Sequence, residues 1–172
     1  GHNHWREVPA GLFVFLEGPP AYMTGVLRER LERAFAAHGL DAARHVTFLP
    51  RQKQGDFDRL LRTMDLCIDS VGWSGGNTSL RNIAFGVPLA TLDGEFMRGR
   101  HTSAMFRMIG MEELIATSED AYVELLVRLG KEEGLRHQIR GGFHAKHHQL
   151  YRDESFIAAF DVFLKAKAAE LN

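Results

Sequence analysis

Asp65-Leu-Cys-Ile-Asp69-Ser-Val-Gly-Trp-Ser-Gly75-Gly-Asn-Thr-Ser79-Leu-Arg-Asn-Ile-Ala-Phe-Gly86-Val-Pro88 reads as a buried strand, a glycine-rich turn, a helix and the approach to a second strand. A helix that starts just past the carboxyl end of a parallel strand leaves its first-turn N–H groups without intrahelical acceptors, at the crevice where open α/β sheets bind ligands. Those amides, with the partial positive charge of the helix N-terminus, suit a phosphate. The stretch therefore decides the fold class and gives the first candidate site. Gly75 and Gly76 allow close approach to the backbone, while Asn77, Thr78 and Ser79 carry side chains that either cap the helix or meet phosphate oxygens. From these five residues alone an ordinary glycine turn and an anion cradle both stay open. The turn lacks G-x-G-x-x-G and also the G-K-S/T ending of a phosphate loop, which argues against a dehydrogenase-type dinucleotide fold and against NTP hydrolysis.

Upstream, Leu12-Phe-Val-Phe-Leu16 is a short apolar run closed by Gly18-Pro19-Pro20, which predicts a strand buried on both faces. Leu27, Leu31, Ala34 and Phe35 recur at helical spacing against charged neighbours, so a helix is expected from Ala21 to His38, with Gly39 as its stop. His45–Leu49 reads as a strand ended by Pro50, Gln54–Met64 as a short helix and Asp65–Asp69 as the next buried strand. Downstream, Leu89–Leu92 is a strand, Asp93-Gly94-Glu95 a turn, Met97–Ile109 a helix and Leu114–Ala116 a brief strand. Ser118 is an N-cap for a helix to about Leu129. Strands alternating with helices of this length imply right-handed crossovers and a mostly parallel, doubly wound α/β sheet. From Lys131 the pattern is helical only, with Leu135, Ile139, Phe156, Ile157, Phe160 and Phe163 as apolar positions, so the tail is expected to wrap or cap the sheet.

The 172 residues, 45% hydrophobic and 25% charged, are enough for one domain with a real core, taken as residues 1–172. A formal net charge of -1 argues against nucleic acid or a membrane surface as partner, since either usually needs concentrated Lys and Arg. Cys67 is the one cysteine, set in an apolar run. It excludes an intrachain disulfide, reads as a buried inert thiol and makes a reducing, cytoplasmic setting the expectation. No apolar run reaches the roughly 20 residues that cross a bilayer, so a soluble protein is expected.

Several widely spaced motifs fall in one order: Phe48-Leu-Pro50-Arg-Gln, Met64-Asp-Leu-Cys-Ile-Asp69, Gly75-Gly-Asn-Thr-Ser, Gly86-Val-Pro88, Thr91-Leu-Asp-Gly-Glu95 with Arg100, and Gly110-Met-Glu-Glu-Leu-Ile-Ala116 with Tyr122. From Trp5 to Leu164 the chain resembles the C-terminal catalytic half of the O-linked N-acetylglucosamine transferases and their bacterial relatives, including the cytoplasmic adhesin N-glycosyltransferases. The resemblance implies a Rossmann-like domain of the two-domain GT-B architecture. It also implies a UDP-sugar donor, a protein acceptor, and metal-independent, inverting transfer to protein hydroxyls or amides. No cofactor, no metal and no catalytic residue is expected in this half. Gly75, Gly76, Asn77, Thr78 and Ser79 would lie against the pyrophosphate, with Asn77 and Thr78 as side-chain donors. Backbone groups of Arg51 and Gln52 would meet the uracil edge. Phe57 stands near the family's base-contacting His, where its ring either stacks on uracil or belongs to the core.

Departures from the family pattern are equally informative. Arg81 occupies the position read as the family's ribose-binding acid, and a guanidinium cannot accept a hydrogen bond; it either reaches a phosphate or is a solvated surface residue. Gln54 falls near a family Lys and removes a positive charge. The family's sugar-nucleotide Lys follows a strand upstream of the helix ending at Val8-Pro9, and the acceptor domain with its candidate base also lies upstream, so this chain is expected to be half of an enzyme and inactive alone. The strand expected to be lacking is the first and central one. Leu12–Leu16 and Leu66–Asp69 should then either pair directly or leave a place filled by another chain, and an unbroken six-strand sheet would contradict this. A UDP-sugar epimerase of the same architecture and a non-catalytic scaffold relative are the alternatives.

Other residues have ordinary readings beside functional ones. His144, His147 and His148 have a spacing that can hold a metal, without an evident fourth ligand. Arg100 and His101 either line the cleft or begin a surface helix. Asp65 and Asp69 read as turn and strand-end residues rather than an acid/base pair, and Trp73 either covers the donor or packs its loop.

Overall fold

A computed structural model describes residues 11–170. Strands and helices alternate as β1 (Phe13–Leu16), α1 (Ala21–Ala36), β2 (Val46–Leu49), α2 (Gln54–Thr63), β3 (Cys67–Ile68), α3 (Asn77–Phe85), β4 (Leu89–Leu92), α4 (His101–Met108), β5 (Ile115–Ala116), α5 (Glu119–Lys131), α6 (Glu133–Lys146) and α7 (Ser155–Glu170). Every strand pair is parallel. β1 runs beside β2 with Phe13 opposite Val46 and Leu16 opposite Leu49. β4 lies between β3 and β5, with Cys67 opposite Leu89 and Thr91 opposite Ile115. This is the α/β class with a helical tail that the sequence predicts.

The strands form two sheets, β1-β2 and β3-β4-β5. β1 and β3 do not pair, and the described residues form no unbroken six-strand sheet. Of the two expected arrangements, direct pairing is the one the structure rejects. The helix expected to end at Val8-Pro9 lies outside the described residues.

The core belongs to the second sheet. Ile83, Leu89, Ala90, Phe106, Ile109, Leu114, Tyr122, Leu129, Ile139 and Phe143 are among its buried members, and the Phe106 and Phe143 rings stack with centroids 5.9 Å apart. β4 is flanked by a strand on each side, so Leu89, Ala90 and Thr91 are all buried. β1, by contrast, is not buried on both faces. Among the described residues it has one strand neighbour, Phe13, Val14 and Phe15 are half-buried, and Leu12 and Leu16 stay 61% and 36% exposed.

The helix expected over Met97–Ile109 is divided into a 3₁₀ turn at Met97–Gly99 and α4 from His101. The cause is a closed loop: Gly94 N–H donates to the Gly99 carbonyl at 3.1 Å, and a Cβ on Gly94 would stand 2.9 Å from Gly99 Cα, so the two backbones touch. Ser118 caps α5 as predicted, its Oγ accepting from Ala121 N–H at 3.1 Å.

The tail divides. α6 buries Ile139 and Phe143 and sends three cations to the ends of other helices. Arg140 Nε donates to the Gly86 carbonyl after α3 at 3.1 Å, Lys146 Nζ to the Gly110 carbonyl after α4 at 2.9 Å, and Arg136 to the Leu129 and Gly130 carbonyls of α5 at 2.8 and 3.1 Å. Those carbonyls are the acceptors a helix C-terminus leaves unpaired. α7 does not cap the sheet. It has no buried residue, and Phe156, Ile157, Phe160 and Phe163 are 54–65% exposed.

Candidate functional site

The Gly75–Ser79 turn stands just beyond β3, and α3 begins at Asn77 with Gly76 as its N-cap. Gly76 has φ −90° and ψ −94°, and no side chain caps the helix. Among the described residues, the amides of the first turn therefore keep no acceptor, side-chain or intrahelical. Gly76, Asn77 and Thr78 are exposed, and space around Gly76 is open, since a Cβ there would meet nothing within 4 Å.

Beneath the turn lies a buried polar network. Asp69, 7% exposed, accepts through Oδ1 from Gly75 N–H at 2.7 Å and Ser70 N–H at 3.1 Å. Its Oδ2 accepts from Thr91 Oγ1 at 2.6 Å and Ser74 Oγ at 2.8 Å. Ser74 has one hydroxyl proton, shared between Asp69 and Thr102 Oγ1 at 2.7 Å. In turn Ser74 Oγ accepts from Thr102 N–H at 3.0 Å. Thr102 Oγ1 donates to the Gly75 carbonyl at 3.2 Å and lies 2.7 Å from Ser79 Oγ. Tyr122 O–H donates to the Asp69 carbonyl at 2.5 Å. Burial, then the Asp69 charge, raises the Tyr122 hydroxyl above the ordinary tyrosine range, against the opposing bond to the Asp69 carbonyl. Four donors around one buried carboxylate are the compensation that such burial requires.

Each sequence-predicted residue has a definite place. Ser79 is buried and its hydroxyl faces Thr102, so it supports the turn from below. Arg81 is not a solvated surface residue. It is half-buried in an ion pair with Asp58 of α2. With Arg62 over the Phe85 ring at 4.0 Å, this pair ties α2 to α3. Phe57 is half-buried on α2. Gln52 Nε2 donates to the Pro50 carbonyl at 2.6 Å, and Arg51 reaches a cleft of about 500 Å³ at the carboxyl end of β1, lined also by Glu17, Thr24 and Arg28. The Gly75 turn does not line that cleft. The candidate residues thus form two groups, one beyond β1 and β2 and one beyond β3.

Trp73 is 71% exposed and does not pack its loop. Arg100 Nε donates to the Gly94 carbonyl at 2.6 Å, serving the closed loop. Asp65 is exposed, whereas Asp69 is the hub described above. Cys67 is half-buried, and burial pushes its thiol up to about 11, opposed by the Asn82 side chain. A thiol protonated at neutral pH is a poor nucleophile, as expected. His147 Nδ1 contacts the Phe143 and His144 carbonyls, and the described residues contain no group of three His, Cys, Asp or Glu able to hold a metal. No described helix is long and apolar enough to cross a membrane.

Two features escape a sequence reading. Thr102 lies 27 residues beyond Gly75 and carried no signal. Asn82 did: it is three residues from Ser79 and so on the same inward face of α3. It is 2% exposed, and among the described residues its Oδ1 is the one buried side-chain polar atom without a hydrogen-bond partner.

The model of Glycosyl transferase family 41 matches residues 4–158. A probable UDP-N-acetylglucosamine–peptide N-acetylglucosaminyltransferase, SPINDLY, of Petunia hybrida is 29% identical over 69 residues, 40% of this chain and 7% of that protein. The UDP-N-acetylglucosamine–peptide N-acetylglucosaminyltransferase of Caenorhabditis elegans is 26% identical over 123 residues, 68% of this chain and 11% of that protein. The chain thus matches only about a tenth of these relatives' length. A mutant of the Thermobaculum terrenum O-GlcNAc transferase has the same fold, with a TM-score of 0.75, 24% identity and coverage of 95% of this chain and 32% of that one.

Proposed function

This chain belongs to glycosyl transferase family 41, and we propose from that membership that it is the UDP-sugar-binding domain of a two-domain, GT-B protein O- or N-glycosyltransferase. The observation that carries the reading is the uncapped start of α3, whose exposed Gly76, Asn77 and Thr78 sit beyond the end of a parallel strand. In this reading the first-turn amides and the Asn77 and Thr78 side chains hold the diphosphate, and Ser79 contributes through its backbone only. Arg51 and Gln52 offer backbone groups to the base, with Phe57 nearby.

The chemistry follows from the charge. When a sugar leaves UDP, negative charge grows on the departing phosphate oxygen, and preorganised N–H groups there stabilise the transition state more than the ground state. The base that activates the acceptor, and the protein acceptor itself, belong to another part of the enzyme, so the isolated chain is inactive in transfer.

Arg81 favours a second reading, a non-catalytic binding relative, because its guanidinium is committed to Asp58. Calorimetric titration of UDP and UDP-N-acetylglucosamine separates the two. The donor reading expects saturable binding that weakens in Asn77→Ala and Thr78→Ala. A chain that is folded yet gives no heat with either nucleotide is a scaffold.

A further inference from the structure

The trans peptide unit that joins Gly75 to Gly76 contains the Gly75 carbonyl and the Gly76 N–H, which point in opposite directions across a rigid plane. Thr102 Oγ1 holds that carbonyl from the buried side at 3.2 Å. The preceding peptide is held too, because Gly75 N–H donates to Asp69 Oδ1 at 2.7 Å. With the carbonyl tied inward, the Gly76 N–H is turned outward, into the open space around Gly76. We infer that Thr102, with Asp69 behind it through Ser74, is a positioning residue that aims the Gly76 amide at the diphosphate.

The network has the parts this role needs. Thr102 is 0% exposed and so cannot meet a ligand itself. Its hydroxyl also lies 2.7 Å from both Ser74 Oγ and Ser79 Oγ, which fixes the rotamer that reaches the Gly75 carbonyl. Asp69 neutralises the other side of the turn: it collects two N–H groups and two hydroxyls, leaving Gly76 and not Gly75 as the first outward amide. Without the Thr102 hydroxyl, the peptide is free to rotate its carbonyl toward an incoming phosphate, which repels it.

The inference rests on the donor reading above, and its test separates the two. Three variants of the full 172-residue chain are compared with the unmodified chain by UDP titration, chemical unfolding and the residual dipolar coupling of the Gly76 N–H. Thr102→Val removes the hydroxyl at nearly constant volume, and Thr102→Ser keeps it. Ser103→Ala removes a different buried hydroxyl, one donated to Asp93 and not part of the turn's network. Thr102→Val should weaken UDP binding about tenfold, the equivalent of one charge-assisted hydrogen bond, and change the Gly76 coupling. Thr102→Ser should restore both, while Ser103→Ala should lose comparable stability with UDP affinity and the Gly76 coupling unchanged. Equal effects of Thr102→Val and Ser103→Ala on UDP affinity, or an unaltered Gly76 coupling in Thr102→Val, would overturn the positioning role alone. Failure of the folded, unmodified chain to bind UDP would instead overturn the donor reading and take the diphosphate with it.

Discussion

Gly75→Ala tests the packing of the turn without involving a ligand. A Cβ at this position would stand 2.5 Å from Ser79 Oγ, with the next neighbours, Ser79 N and Asp69 Oδ1, at 3.4 and 3.5 Å. Only the first contact is forbidden. Ser79 Oγ cannot swing aside freely, because it is buried and paired with Thr102 Oγ1 at 2.7 Å. Relief therefore requires breaking that hydrogen bond, worth about 1 kcal/mol, and shifting the turn, with overpacking typically costing about 1–3 kcal/mol. The sum is about 2–4 kcal/mol, or a fall of roughly 5–15 °C in Tm for a domain of this size. The assay is urea unfolding of four chains: unmodified, Gly75→Ala, Ser79→Ala and the double variant. Ser79→Ala alone should cost about 1 kcal/mol, the lost hydrogen bond. In its background Gly75→Ala should cost less than about 0.5 kcal/mol, because the clashing oxygen is gone, giving a coupling energy of about 2 kcal/mol. If Gly75→Ala costs as much in the Ser79→Ala background as in the unmodified chain, the close contact is not what makes Gly75 necessary.

Three further outcomes are expected. Phe143→Ala, which empties a fully buried site stacked on Phe106, should lower unfolding free energy by about 3–5 kcal/mol, whereas Phe160→Ala on exposed α7 should change it by less than about 0.5 kcal/mol; equal effects in urea titration would place α7 in the fold. With the Cys67 thiol pushed up to about 11, its thiolate at pH 7.5 should be roughly 100-fold scarcer than for a model thiol near 9, so iodoacetamide should label it slowly until urea is added. Cys67 and Tyr122 both have raised values in the folded state, so their contribution is fully present below the unfolded-state pKa values and is lost as pH rises. Unfolding free energy should decline above about pH 9, and Tyr122→Phe should flatten that decline; an unchanged alkaline limb in Tyr122→Phe counts against the burial of its hydroxyl.

Most of the alternation was legible because local signals agree with tertiary placement. Leu89–Leu92 is apolar, bounded by Pro88 and Asp93, and central in its sheet, so pattern and burial coincide. Ser118 before Glu119 and Asp120 announces a helix start, and the hydroxyl does cap. The Gly75 turn was readable for the same reason, since two glycines and three short polar residues have few other uses between a strand and a helix. Burial of β1 was not readable, because an apolar run records what a strand can bury and not what stands beside it. The same holds for α7, whose apolar residues are as dense as those of a core helix. The ion pair of Arg81 is not legible in the sequence because its partner Asp58 is 23 residues away and only the packing of α2 on α3 joins them. The hydroxyls under the turn are hidden for a related reason. Ser74, Thr91 and Thr102 look like surface residues by composition, and only the buried Asp69, which Ser74 and Thr91 reach directly and Thr102 through Ser74, joins them.

α6 holds the ends of three other helices through Arg140, Lys146 and Arg136. Their last turns consequently share one latch. Detachment of that single segment would expose the termini of α3, α4 and α5 together, so slow deuterium uptake at Gly86, Gly110 and Gly130 should proceed in step and not site by site. The start of α3, where the outward amides lie, would then be shielded from fraying at its far end by a helix more than fifty residues later in the chain.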